Sequence, residues 1–127
     1  MTLHKQDMAM AERCPIRDVL DRLGDRWTLL VLMELRNGTM RFSKLKAQIK
    51  DISPRMLAQT LRQLEMDGLV SRKAYPTIPP RVEYSLTGLG ISMLKPVGQL
   101  IEWASDNHQA VRNARARYVA PESQKAF

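Results

Sequence analysis

The sequence predicts a mainly α fold with a small β-hairpin, and three observations carry that expectation. Apolar residues recur at helical spacing in five separate stretches, each opened by a capping residue or closed by a glycine. Two strand-like runs, 69–75 and 81–86, flank the link Pro76-Thr77-Ile78-Pro79-Pro80, which cannot continue a ladder and must be a loop. The 127 residues are 44% hydrophobic and 26% charged, the balance of one globular domain long enough to bury a core.

The first helix runs from Cys14 to about Leu23. Pro15 suits its first position, and Ile16, Val19, Leu20 and Leu23 form its apolar stripe. Gly24 ends it. Asp25 caps a second helix through Arg36, with Trp27, Leu30, Val31 and Leu35 at helical spacing. Leu29, Leu32 and Met33 make this helix apolar on most sides, as a central buried helix is. Asn37-Gly38 stops it, and residues 39–42 read as a brief edge strand or extended link. Ser43 is placed to cap a third helix through Ile49 that buries Leu45 and Ile49 and leaves Lys44, Lys46 and Lys50 outside.

Ser53 and Pro54 are a good N-cap and first residue for a fourth helix, which reaches about Asp67 and closes at Gly68. Its inward stripe is Leu57, Leu61 and Leu64. Arg55, Gln59, Arg62 and Met66 take the opposite face. The hairpin follows, with Val82, Tyr84 and Leu86 expected on one face. Thr87 caps a long last helix, which Pro96 should kink or restart. After about Arg117 no strong pattern remains.

Two short helices joined by a tight turn and followed by a hairpin match a winged helix-turn-helix, here with an extra C-terminal helix for dimerisation. One domain over residues 1–127 is expected, with its core at about 14–88 and the added helix at about 88–117. The charge agrees. The chain carries +7, and residues 41–90 alone hold nine basic and four acidic side chains. Such an excess points to nucleic acid, against the plain alternative of a solvated charged face. One cysteine excludes a disulfide framework within the chain. No apolar run approaches the ~20 residues of a membrane span, and residues 1–14 lack the apolar stretch of a signal peptide, so a cytoplasmic protein with no membrane partner is expected. His4 and His108 have no ligand spacing with Cys14, and no nucleophile triad, carboxylate pair or glycine-rich phosphate loop stands out. No metal, no cofactor and no enzymatic activity are expected.

The runs Cys14-Pro15-Ile16, residues 23–30 (LGDRWTLL), Arg41-Phe42-Ser43-Lys44-Leu45, residues 52–57 (ISPRML), residues 61–70 (LRQLEMDGLV) and residues 79–87 (PPRVEYSLT), with Gly90 after them, together resemble the HxlR-type transcriptional regulators, relatives of the MarR group. The resemblance spans roughly residues 13 to 108. Arg26 stands where Lys is commoner and Gln63 where Glu is commoner. The resemblance implies a winged-helix homodimer that binds double-stranded operator DNA, with dimer contacts from the terminal helices.

Site expectations follow. Arg55 and Gln59 suit base edges, since Arg pairs bidentately with guanine and Gln with adenine. Ser53, followed by Pro54, either caps the helix or also takes a phosphate. Arg62 reaches a phosphate or only solvates the face. Lys44 and Lys46 suit backbone contacts, Arg72 and Lys73 make the wing basic, and Arg81, expected at its base, suits a phosphate or the minor groove. Thr77 and Ile78 lie at the wing tip. The dimer interface is expected from Ile16, Leu94, Val97, Leu100, Ile101 and Trp103, more apolar surface than one small domain covers. Met40, Met56, Met66 and Met93 belong to a set of eight methionines read mostly as core gap-fillers, and Trp27 and Trp103 as core packing ahead of the lining of an effector pocket. Cys14 has two readings. It is a buried packing residue, or it is a sensor of oxidants or electrophiles, activated at the helix N-terminus beside Arg13 and Arg17 and opposed by Glu12 and Asp18. The resemblance adds weight to the second, since family members often carry a cysteine there. The alternative function is a winged-helix protein-interaction module without DNA binding, which would show an apolar or acidic face on the fourth helix.

Overall fold

The computed structural model describes residues 15–121. Its elements are α1 (Pro15–Leu23), α2 (Arg26–Leu35), β1 (Met40–Arg41), α3 (Phe42–Gln48), α4 (Pro54–Met66), β2 (Val70–Tyr75), β3 (Arg81–Leu86) and α5 (Gly88–Arg117). One compact unit ends at Leu94 and a second begins at Lys95. The first unit is a winged helix-turn-helix, as the sequence predicts.

Local chemistry sets most boundaries. The Asp25 carboxylate accepts from the Trp27 N–H at 2.9 Å and starts α2. Ser53 Oγ accepts from the Met56 N–H at 3.0 Å, and Pro54 opens α4. At the other end of α4, Gly68 adopts φ +76°, its N–H donates to Glu65 O, and the Leu69 N–H donates back to Leu64 O. This Schellman closure needs a left-handed residue, which glycine adopts without strain. The start of α3 differs from the expected cap. Arg41 is its N-cap, with no side-chain hydrogen bond, and Ser43 lies in the first turn. Pairing of Met40 and Arg41 with β3 keeps the backbone extended up to Arg41, so the helix begins at once at Phe42.

The sheet has the order β1-β3-β2, all antiparallel. Met40 pairs with Tyr84 and Arg41 with Glu83, while the hairpin runs in register from Val70↔Leu86 to Tyr75↔Arg81. Tyr84 and Leu86 pack on the core, but every residue of β3 is half-buried, so the expected alternation does not appear as a contrast in burial.

The core joins Val31, Leu32 and Leu35 of α2, Met40, Leu45, Ile49, Ile52, the α4 stripe Leu57, Leu61 and Leu64, and Leu69 and Val70. Leu23, Trp27, Phe42, Met56 and Met93 pack partly against it. Parts of the apolar stripes of α1 and α2 lie outside this core. Among the described residues, Ile16, Val19 and Leu20 of α1 and Leu30 of α2 stand exposed. Met66 is 73% exposed, on the outer face of α4, and is no gap-filler.

Two contacts tie the ends of α4 and α1 into this unit. Thr87 Oγ1 donates to Gly68 O at 2.6 Å and accepts from the Gly90 N–H at 3.1 Å, and the Thr87 N–H donates to Leu69 O. Gly90 lies so close to that turn that a Cβ would stand 2.1 Å from Leu69 O. Arg22 reaches from α1 to Asp67, the C-cap of α4, by two bonds of 2.6 and 3.4 Å.

In the second unit helical structure continues through Pro96, which neither ends α5 nor opens a separate helix. Val97 is buried, whereas Leu100, Ile101 and Trp103 are exposed. Trp103, at 58%, is not core packing, unlike Trp27, whose ring packs on the core with the Arg26 guanidinium 4.4 Å above it.

Candidate nucleic-acid interface

Helix α4 separates two chemistries. Leu57, Thr60, Leu61 and Leu64 are buried, which pins its rotation. That rotation leaves Arg55, Gln59 and Arg62 exposed together, as the spacing predicts. None of the three makes an ion pair or side-chain hydrogen bond among the described residues. Three long side chains with unused donors therefore stand on one face of a rigidly held helix.

The N-terminus of α4 adds a backbone donor. Pro54 has no N–H, the Met56 N–H is used by Ser53, and the Leu57 N–H donates to Ser53 O at 2.9 Å. The Arg55 N–H has no acceptor among the described residues and is left as an open donor of the first turn. Ser53 Oγ caps the helix as an acceptor and keeps its O–H to donate, and Arg55 offers both a guanidinium and a backbone N–H at the same point.

On α3 Lys44 is exposed and Lys46 half-buried, flanking the buried Leu45 that anchors the helix. Arg72 lies opposite Tyr84 in the hairpin, and with Ala58, Arg62 and Glu65 these residues line a polar cleft between α4 and the sheet. The fold thereby brings Arg62 and Arg72 to one place, with Glu65 beside them. Sequence reading did not single out Glu65, although its position one helical turn from Arg62 could have done so.

Arg81 departs from expectation. It pairs with Tyr75 as the last residues before the loop, so it stands beside the wing tip and not at the base. Its Nε lies 3.3 Å from Glu83 Oε2, and its guanidinium carbon lies 4.2 Å from the centre of the Tyr75 ring. Beyond Tyr75 and Arg81, Ile78 is fully exposed, and Thr77 Oγ1 donates to Pro79 O at 2.8 Å.

The remaining candidates lie apart from this face. Cys14 and His4 lie outside the described residues. Ile16, Leu100, Ile101 and Trp103 are exposed and Leu94 is half-buried, while Val97, at 4%, is buried within the chain and has little surface to offer a partner. Among the described residues no three His, Cys, Asp or Glu side chains gather as metal ligands. No described helix is long and apolar enough to cross a membrane.

Known proteins share this arrangement. The model of the HxlR-like helix-turn-helix family matches residues 22–112. The HTH-type transcriptional regulator YtfH of Escherichia coli K12 is 47% identical over 115 residues, which cover 88% of this chain and 91% of that protein. The solved structure of the transcriptional regulator YtfH from Salmonella typhimurium superposes with a TM-score of 0.76 at 45% identity, covering 85% of this chain and 96% of that one. The redox regulator HypR in its oxidized form superposes with a TM-score of 0.69 at 38% identity, over 74% of this chain and 97% of its own. With the family model matching most of the chain and relatives of this identity over nearly their full length, the chain belongs to the HxlR-like helix-turn-helix family of transcriptional regulators.

Proposed function

We propose that the protein is a sequence-specific regulator that binds double-stranded DNA in the cytoplasm as a homodimer on an inverted-repeat operator. The observation that carries this reading is the outer face of α4, where Arg55, Gln59 and Arg62 stand exposed without side-chain partners among the described residues. An interaction module would present an apolar or acidic face there. Arg55 and Gln59 read base edges in the major groove. Lys44, Lys46, Arg62, Arg72 and Arg81 contact phosphates, which position the protein without specifying sequence. The core at about 14–88 binds DNA, and the helix at about 88–117 joins Ile16 of α1 in pairing the subunits. The support for pairing is the exposure of Ile16, Leu100, Ile101 and Trp103, apolar groups that a second copy would cover. A two-fold dimer places its half-sites one or two DNA turns apart.

Selection of binders from random duplexes tests the reading. An enriched inverted repeat is expected, and equal binding to enriched and scrambled duplexes refutes sequence recognition. Sedimentation of the protein at micromolar concentration should give a dimer, and a monomer refutes the assembly.

The electrophile response is assigned to Cys14, immediately before the first helix. Its support is position, a helix start with Arg13 and Arg17 close in sequence, and the likeness to a redox regulator. Diamide or an aldehyde should weaken operator binding by the parent and leave Cys14→Ser unaffected. Equal responses in both proteins return Cys14 to a packing role.

A further inference from the structure

The hairpin holds a polar cluster that base and phosphate contacts at α4 leave unused. Directly paired residues of an antiparallel ladder share a face. Tyr75 and Arg81 therefore stand together, with Lys73 and Glu83 two residues back on each strand and Arg41 of β1 paired to Glu83. The Arg81 guanidinium carbon lies 4.2 Å and the Lys73 ammonium 5.1 Å from the centre of the Tyr75 ring, both within the ~6 Å reach of a cation–π attraction. The Nε of Arg81 is buried, and its 3.3 Å approach to Glu83 Oε2 lacks hydrogen-bond alignment. No other ion pair or hydrogen bond holds this guanidinium among the described residues.

These two neighbours act on Arg81 differently. A carboxylate engages the N–H edge of a guanidinium and competes there with a phosphate. A ring lying under the ion engages its face and leaves the terminal N–H groups for another acceptor. Holding the side chain in place beforehand also lowers the entropy lost when it docks. We infer that Tyr75 is a positioning residue of the wing: its ring holds the Arg81 guanidinium in place for a phosphodiester of the DNA backbone, and Arg81 contributes to binding only through that arrangement. The inference rests on the DNA-binding reading.

The test compares the full-length parent with Arg81→Ala, Tyr75→Phe, Tyr75→Leu and the double variant Tyr75→Leu/Arg81→Ala. Leu keeps apolar bulk on the strand without a π face, and Phe restores the face without the hydroxyl. Each protein is titrated at several salt concentrations on one mixed-sequence duplex of about three helical turns. Arg81→Ala should flatten the log–log salt dependence by about 0.9 per subunit. Tyr75→Leu should match that loss, Tyr75→Phe should keep the parent slope, and the double variant should fall no further than either single. Tyr75→Leu with the parent slope, or additive losses in the double variant, overturns the inference. A second readout needs no DNA. The Arg81 Hε and Hδ resonances should be shifted upfield by the ring current in the parent and in Tyr75→Phe, and not in Tyr75→Leu. Absence of the shift in the parent also overturns it. A parent that shows the ring-current shift but binds no duplex instead refutes the DNA-binding reading, and the role of Tyr75 falls with it.

Discussion

Helix α4 and the part of α5 after Lys95 both carry apolar residues at helical spacing, but α4 buries its whole stripe, whereas the later part of α5 buries Val97 and leaves Leu100, Ile101 and Trp103 exposed. Leu57, Leu61 and Leu64 are at most 1% exposed, while Leu100 and Trp103 keep more than half of their surface in water. Leu57, Leu61 and Leu64 sit in one cluster with α2, α3 and the sheet. The contrast teaches that amphipathic spacing alone does not say where an apolar face is covered. One stripe completes its own chain's core, and most of the other stays on the surface.

The largest expected effect breaks the contrast at its stronger end. Leu64→Ala leaves a cavity in the core and should cost about 2–5 kcal/mol of unfolding free energy, read by urea denaturation. Leu100→Ala in α5 should cost far less at a protein concentration where only monomer is present. Equal losses would show that the two stripes are covered alike.

Gly90→Ala attacks the joint that holds the C-terminal turn of α4. The added methyl would lie 2.1 Å from Leu69 O, a backbone atom that cannot rotate away. Destabilisation of about 1–3 kcal/mol or more is expected. A Tm unchanged from the parent would mean that α5 can start elsewhere.

The outer face of α4 should behave oppositely to its inner face. Arg55→Ala should leave the denaturation midpoint within about 0.5 kcal/mol of the parent. It should lose ~1–3 kcal/mol of discrimination between operator and scrambled duplex. Undiminished preference for operator would mean that another face of α4 enters the groove.

The smallest expected effect is a gain. Thr60 is buried in the inner face of α4, and its Oγ1 has no hydrogen-bond partner among the described residues. Thr60→Val keeps the shape and removes the unsatisfied hydroxyl, so stability should rise by about 1 kcal/mol. A loss instead would reveal a water or backbone acceptor serving that hydroxyl.

Much of this molecule follows from its sequence. Asp25, Ser53-Pro54, Gly68 and Thr87 set helix ends through bonds within a few residues of themselves, so their positions are legible without a fold. The outer face of α4 is equally legible, because Leu57, Leu61 and Leu64 determine its rotation and leave Arg55, Gln59 and Arg62 opposite. Tertiary structure alone decided the rest. The early start of α3 at Phe42 depends on pairing between Met40-Arg41 and Tyr84-Glu83, more than forty residues away. The meeting of Arg62 with Arg72 depends on how α4 packs on the sheet. The engagement of Arg81 by Tyr75 and Glu83 depends on strand register, which places across the ladder residues that helical or alternating patterns treat separately. Caps and periodicities are interactions within a few residues, whereas register and packing arise from contacts between distant segments, and only the folded chain brings those segments together.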